Sequence, residues 1–320
     1  MSALALEPQN LPTPKDEEWK YTNLSRALGD LKGVVAQDVQ KIVIHKTSGV
    51  ICEQIEEIMW TGVDGQHQNL HLEIVLEEGA HLTLIERHTG DGSYWKNMKT
   101  RITLGTNSRL NHIRIQEDST ESVQTNLVNI TMERDAYLNS FSLNLGGKLT
   151  RHDVHAVLNG SNIDCSLNGV NLLRDQQHGD TTILVEHKAP HCLSNQFYRT
   201  ILDDASRGVF QGKVHVHQAA QKTDGYQLSN TLLLSPKAEM DTKPELEIYA
   251  DDVKCSHGAT TGQLDEEPLF YLRSRGLNES QARMLLVQAF VDEVVDKVSD
   301  SYLHDEIKGK CGQWLEKAMS

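Results

Sequence analysis

Small residues recur along the middle of the chain at Ala80, Ser108, Ala136, Ser161 and Ala189, at separations of 28, 28, 25 and 28 positions. Between them the hydrophobic period is two. Leu70, Leu72, Ile74 and Leu76 alternate with His71, Glu73, Val75 and Glu77, a polar turn follows, and Leu82 and Leu84 resume the pattern. Alternation marks strands with one face toward a core. A step of about 28 residues marks a repeat in which each turn of chain covers the open face of its neighbour. The strands are short, broken by Gly, Asn and Asp, and separated by no helical pattern. The fold class this predicts is mostly β, a β-helix (β-solenoid) core; the runner-up is a β-sandwich, whose strands also alternate. The interior is assigned to Leu72, Ile74, Leu82, Leu84, Leu143, Ile163, Leu167, Val214 and Val216.

The flanks differ. Residues 1–14 hold Pro8, Pro12 and Pro14 and read as an extended arm. Residues 15–32, with Trp19, Tyr21, Leu24, Leu28 and Leu31, read as a helix. Residues 33–68 are ambiguous, IVIH reading as a strand and CEQIEEIMW as a short helix. After Gln263 the period becomes about 3.6. The division is thus an N-terminal arm and helical cap (1–68), a β-helix core (69–263) and a C-terminal helical region (264–320). A solenoid needs both ends covered, and the flanking helices are the candidate caps. Asn278 and Gln281 have capping-box spacing. In the helix after them, Leu286, Phe290 and Val294 form one apolar row and Val287, Val291 and Val295 a second. One row suffices for docking on the solenoid. The second is read either as a face for a partner or as burial between the last turn and residues 301–318.

Composition narrows function. Among 320 residues, hydrophobic ones make up 38% and aromatics 5%, so the core is built of Leu, Ile and Val. A formal net charge of −14 argues against nucleic acid or an anionic membrane as partner. No apolar run approaches the length of a membrane-spanning helix. MSALALEPQN lacks the features of a secretory signal, and five scattered cysteines without a CxxC fit a cytoplasmic protein with reduced thiols. The motifs GxGxxG, GxxxxGK[ST], HExxH and GxSxG are missing, so any ATP must be bound by another chain.

The densest chemistry lies in 245–275, ELEIYADDVKCSHGATTGQLDEEPLFYLRSR. Cys255 and His257 stand two apart on a strand and share a face, a thiol beside an imidazole. Both bind iron, but two ligands do not close a metal site. The bland alternative is a buried Cys and a surface His. Other sets are His152 with His155, which face opposite sides, His215 with His217 on the outer wall, and His187, His191 and Cys192 about a proline turn. Cys165 reads as an inert core thiol, and Cys311 has no partner in view. Asp203, Asp204, Asp251 and Asp252 supply carboxylates for a rival reading, a β-helix carbohydrate-active enzyme.

KPELEIYADDVKCSHGATTGQLDEEPLFYLRSRGL closely resembles the C-terminal signature of the SufD family, subunits of the SUF iron–sulfur cluster assembly machinery, and LPTPKDEEWKYTNLSRAL resembles the family's opening. The middle matches in style only, and the chain is shorter than the family implies. The resemblance implies a β-helix core and a non-catalytic scaffold that pairs with the paralogue SufB and recruits the ATPase SufC on the C-terminal helices. It carries His257, and less firmly Cys255, over as cluster-assembly residues, with the missing donors coming from SufB. On this reading a transient iron–sulfur cluster is shared with SufB, ATP enters only through SufC, and the docking residues for SufC are Leu286, Phe290, Val294, Val287 and Val291. A homodimer without SufB remains an alternative for the isolated chain.

Overall fold

The structure is a computed structural model and describes Leu6 and residues 10–318; most of the first nine residues of the expected arm, Pro8 included, lie outside the described residues. The chain winds as a two-walled coil of about eight turns. One wall is formed by β1 (Gln40–Lys46), β3 (His67–Leu76), β5 (Trp95–Leu104), β7 (Val123–Met132), β9 (Leu149–Leu158), β11 (His178–His187), β13 (Arg207–Val216) and β15 (Glu239–Ile248). The other is formed by β2 (Glu56–Gly62), β4 (His81–Gly90), β6 (Arg109–Gln116), β8 (Tyr137–Asn144), β10 (Asp164–Leu173), β12 (Leu193–Leu202), β14 (Thr223–Leu233) and β16 (Val253–Gly262). Neighbouring strands pair in parallel, so like positions stack rung upon rung. One inward column runs Ile44, Ile74, Ile102, Ile130, Ala156, Val185, Val214 and Leu246. Each apolar side chain in the middle of such a column is sealed above and below, which is what makes the β-helix stable.

The corners repeat as regularly as the walls. Gly49, Gly79, Asn107, Asp135, Asn162, His191 and Lys222 all have left-handed φ, between 56° and 73°. At each, the N–H donates to a carbonyl of the next rung: Gly79 to Thr106, Asn107 to Arg134, Asp135 to Ser161 and Asn162 to Pro190. Gly, Asn and Asp tolerate this conformation best, which is why the strands are broken by those residues. The small-residue column is real at its start and then changes. Backbone bonds link Arg109 to Ala80, Tyr137 to Ser108, Asp164 to Ala136 and Leu193 to Ile163. The stacked position after Ala136 is therefore Ile163 and not Ser161, and Ala189 is not in the column.

Three local expectations are corrected. CEQIEEIMW is not a short helix: Glu56–Gly62 is β2, with Ile58 and Trp60 inward and Met59 exposed, an alternation hidden in a short apolar run. The coil therefore begins with β1, inside the stretch of ambiguous period. The helix expected over 15–32 is broken into 3-10 turns at Glu17–Trp19 and Gly29–Gly33 around α1 (Leu24–Leu28). Leu143 is fully buried, but outside the coil, with Phe141 under the C-terminal helices.

Neither set of helices plugs an end. Leu24, Leu28 and Leu31 lie against Trp95, Val123 and Leu149, an apolar row on the outside of the odd-numbered wall. The Trp19 ring faces the Arg151 guanidinium at 4.1 Å, and Thr22 donates to Asp180. At the other end of the chain come α2 (Glu266–Ser274), α3 (Glu279–Val295) and α4 (Ser301–Ala318). α3 and α4 cover Ile85, Ile113, Ile115, Val170, Leu172 and Ile201 on the outside of the even-numbered wall. Arg87 pairs with Glu306, Arg199 with Glu293, and Lys310 with Glu117 at 2.6 Å, fastening the helices at their rims. Among the described residues, β15 and β16 are the edge strands of their sheets, with no further strand paired beyond them. Among the described residues, no helix is long and apolar enough to cross a membrane.

Candidate functional site

The last rung carries the predicted thiol and imidazole. In register, Cys255 lies beside Gly225 and His257 beside Gln227 on β14. Their shared face is the one that, in earlier rungs, points into the bore: Ser194 and Gln196 on β12 hold the same columns and are fully enclosed. With no further rung above it, β16 turns these inward positions into an end face. His257 is exposed and makes no side-chain hydrogen bond within the described chain. Cys255 is half-buried, and its sulfur sits over Gly225, where a Cβ would come within 3.3 Å of it. Burial pushes the Cys255 thiol up, against the opposing pull of the Gly225 N–H. The thiol is thus protonated near neutral pH, and iron taking it as a ligand releases a proton. Among the described residues, no third His, Cys, Asp or Glu stands close enough to join Cys255 and His257 as a ligand.

The surroundings suit a protein contact. Ile248 and Tyr249 at the end of β15, and Tyr226 and Leu228 on the outside of β14, are exposed apolar groups around a row of free strand-edge N–H and C=O groups. Such an edge is a template for another chain.

The two rows of α3 are used within the chain. Val287, Val291 and Val294 are fully buried against the even-numbered wall and α4; Phe290 is partly buried, its ring 4.4 Å from the Arg199 guanidinium; Leu286 is partly buried. The helical region instead exposes Phe270, Tyr271, Leu285 and Tyr302. Cys311 is buried in the same layer and Cys165 inside the coil, and burial pushes each thiol up to about 12. Asp203 and Asp204 lie in the corner after β12, whereas Asp251 and Asp252 lie in a corner on the opposite edge of the coil, after β15. The two carboxylate pairs do not converge.

One feature of the bore escaped the sequence. Glu86, His88, His112, Arg114, Gln116 and Asp118 all point inward and are buried. Asp118 accepts from Tyr94 at 2.6 Å and pairs with Lys96 at 2.5 Å; Glu86 accepts from Trp60 at 3.0 Å and meets His112 at 2.6 Å. Burial works to raise the Glu86 carboxyl, but His112 and His88 outweigh it and hold it well below the usual range. Burial, with Arg114 nearby, lowers His88 to about 4. These charges continue the period-two columns of Leu82–Leu84 and Leu110, which is the signal that would have found them.

The family model for "SUF system FeS cluster assembly, SufBD core domain" matches residues 59–290, from β2 to α3. The chain belongs to the SufBD family. Among curated SufBD relatives, the iron–sulfur cluster assembly protein SufD of Escherichia coli is 37% identical over 276 residues, 86% of this chain and 63% of its own length. The SufBD family protein slr0076 of Synechocystis is 37% identical over 73% of this chain and 54% of its own length. The chloroplastic protein ABCI7 of Arabidopsis thaliana is 33% identical over 73% of this chain and 50% of its own length. The chain thus spans about half to two thirds of the length of these three relatives. The matched region contains the whole last rung, with Cys255 and His257.

Proposed function

We propose that the chain acts in SUF iron–sulfur cluster assembly as a non-catalytic scaffold, pairing with a SufB-type paralogue and recruiting a SufC-type ATPase. The observation that carries this reading is the last rung: Cys255 and His257 stand on a sheet-edge strand with no further ligand among the described residues. Two donors hold iron without closing its coordination sphere, and a partner strand added at this edge brings the rest. A cluster held between two chains is cargo that separation of the chains can release. The family of the chain supports the same assignment, as do the names of its SufD relatives. The tail is the proposed ATPase platform, with the contact moved from the buried Val287, Val291 and Val294 to the exposed Phe270, Tyr271, Leu285 and Tyr302.

The test is co-expression of the tagged chain with a SufB-type paralogue and a SufC-type ATPase, followed by purification and mass measurement of the intact complex. The expected result is one assembly holding all three chains. Recovery of the tagged chain only as a pair with itself, or alone, would overturn the pairing.

A further inference from the structure

On the outside of the odd-numbered wall, beyond the reach of the N-terminal helices, three rungs bring together residues far apart in sequence. Glu186 on β11 lies in register with His215 on β13. His217 follows His215 two positions on and stays beside it, the two rings stacked at 4.2 Å between centroids and 20° between planes. Glu186 Oε2 lies 3.1 Å from His217 Nε2. One donor atom from each of Glu186, His215 and His217 lies within 4.8 Å of the other two. His155 on β9, one rung further, meets the other carboxylate oxygen of Glu186 at 2.6 Å. All four are on the outer face and reachable from solvent.

We propose that Glu186, His215 and His217 form a mononuclear binding site for a divalent first-row transition metal, with His155 orienting the carboxylate. Two imidazoles and one carboxylate are a borderline nitrogen and oxygen set, suited to ions such as zinc or ferrous iron and poorly suited to calcium or magnesium. Stacking fixes the two imidazoles against each other, so little ordering is left for an ion to impose. Alternate residues at the end of a strand present both rings on one side. The His155 bond holds Oε1 of Glu186, the arrangement in which an outer partner fixes a ligating carboxylate, and leaves Oε2 facing His217, where the ion takes the place of the proton between Oε2 and Nε2. On the other side the Tyr249 ring stands edge-on to His215 at 5.6 Å, and Glu247, opposite His215 on β15, is held by Lys213 at 2.8 Å. Lys188 is the competing cation, but its Nζ is 3.7 Å from Glu186, farther than His155 at 2.6 Å or His217 at 3.1 Å. The site is on the wall opposite to the one that ends in Cys255 and His257, so it goes beyond the cluster-assembly reading.

The full chain, stripped of metal by chelator and dialysed, is titrated with cobalt(II) and followed by its visible absorption. One equivalent is expected to bind and to be displaced by zinc(II), which stands above cobalt in affinity for most such sites of tetrahedral preference. Glu186→Gln and the double change His215→Ala/His217→Ala should abolish stoichiometric binding, and His155→Ala should weaken it by about 10-fold or more. His45→Ala removes a surface histidine that also meets a glutamate, Glu77 at 2.8 Å, and should bind cobalt as the parent does. Circular dichroism of each variant should match the parent, since all these side chains are on the surface. Absence of a stoichiometric cobalt complex in the parent, or a complex that survives the double change, would overturn the site.

Discussion

Acid should unfold this protein through histidines buried without charge, and His187 makes the size of the effect measurable. Its ring is fully enclosed, bonded to Ser194 at 2.8 Å, and burial lowers it to about 4 from an ordinary value of 6.5. The folded value is below the unfolded one. As pH falls from 6.5 toward 4 the unfolded chain takes up a proton that the folded chain refuses, so stability is lost across that window. For a shift of this size the loss at pH 5 is about 2 kcal/mol for His187 and about 2 kcal/mol for His88, which is lowered to about the same value. His152 is pushed down mainly by burial and adds to the loss. Glu86, held low, begins to lose its contribution only as pH falls through the carboxylate range. Urea unfolding of the parent and of His187→Gln, followed by circular dichroism at pH 7 and pH 5, separates the contribution. The variant should start less stable at pH 7, yet its loss between the two pH values should be smaller by about 2 kcal/mol. An equal loss in both proteins would refute the claim that a neutral, enclosed His187 drives acid sensitivity.

Other outcomes follow from the same geometry. Leu84→Ala, deep in the coil, should cost about 2–5 kcal/mol in urea unfolding, while Met59→Ala on the exposed face of β2 should cost little. Phe270→Asp, at a side chain 74% exposed, should leave the melting temperature unchanged and lower recovery of the ATPase in the co-purification; full recovery would remove α2 from the docking surface. The purified chain alone should show no ATP turnover, and turnover that persists through repeated purification would sink the scaffold reading.

Much of the architecture was legible because a solenoid writes its step into the sequence. Alternation in 70–76 and 82–84 and the spacing of Ala80, Ser108 and Ala136 give the rungs directly. The step then varies, the column running on from Ala136 to Ile163 and Cys192, so Ser161 and Ala189 fall outside it. Leu143 was misplaced for a different reason. Strands β6, β8 and β10 are buried on both faces, inside the coil and beneath α3 and α4, and period two cannot say which face is which. The same covering explains the two apolar rows of α3, whose valines are used against the wall. Cys255 and His257 were legible as a pair, since alternate residues on a strand share a face. That this face is an open end was not, because it depends on where α2 to α4 go. The cluster of Glu186, His215 and His217 was half legible: His215 and His217 are visible in sequence, but Glu186 reaches them only through the register of the wall.

Cys255 and His257 are proposed to serve the cluster and not the fold. The most direct measurement is anaerobic reconstitution of the three-chain complex with iron and sulfide, comparing His257→Ala and Cys255→Ser with the parent for bound iron and sulfide per complex. His257 is exposed and without a hydrogen bond, so its loss should cost roughly half a kcal/mol or less of stability. His257→Ala should lose most of its cluster while both partners still co-purify, and Cys255→Ser should show a smaller loss. Wild-type amounts of iron and sulfide in both variants would contradict it and leave the last rung with a structural role alone.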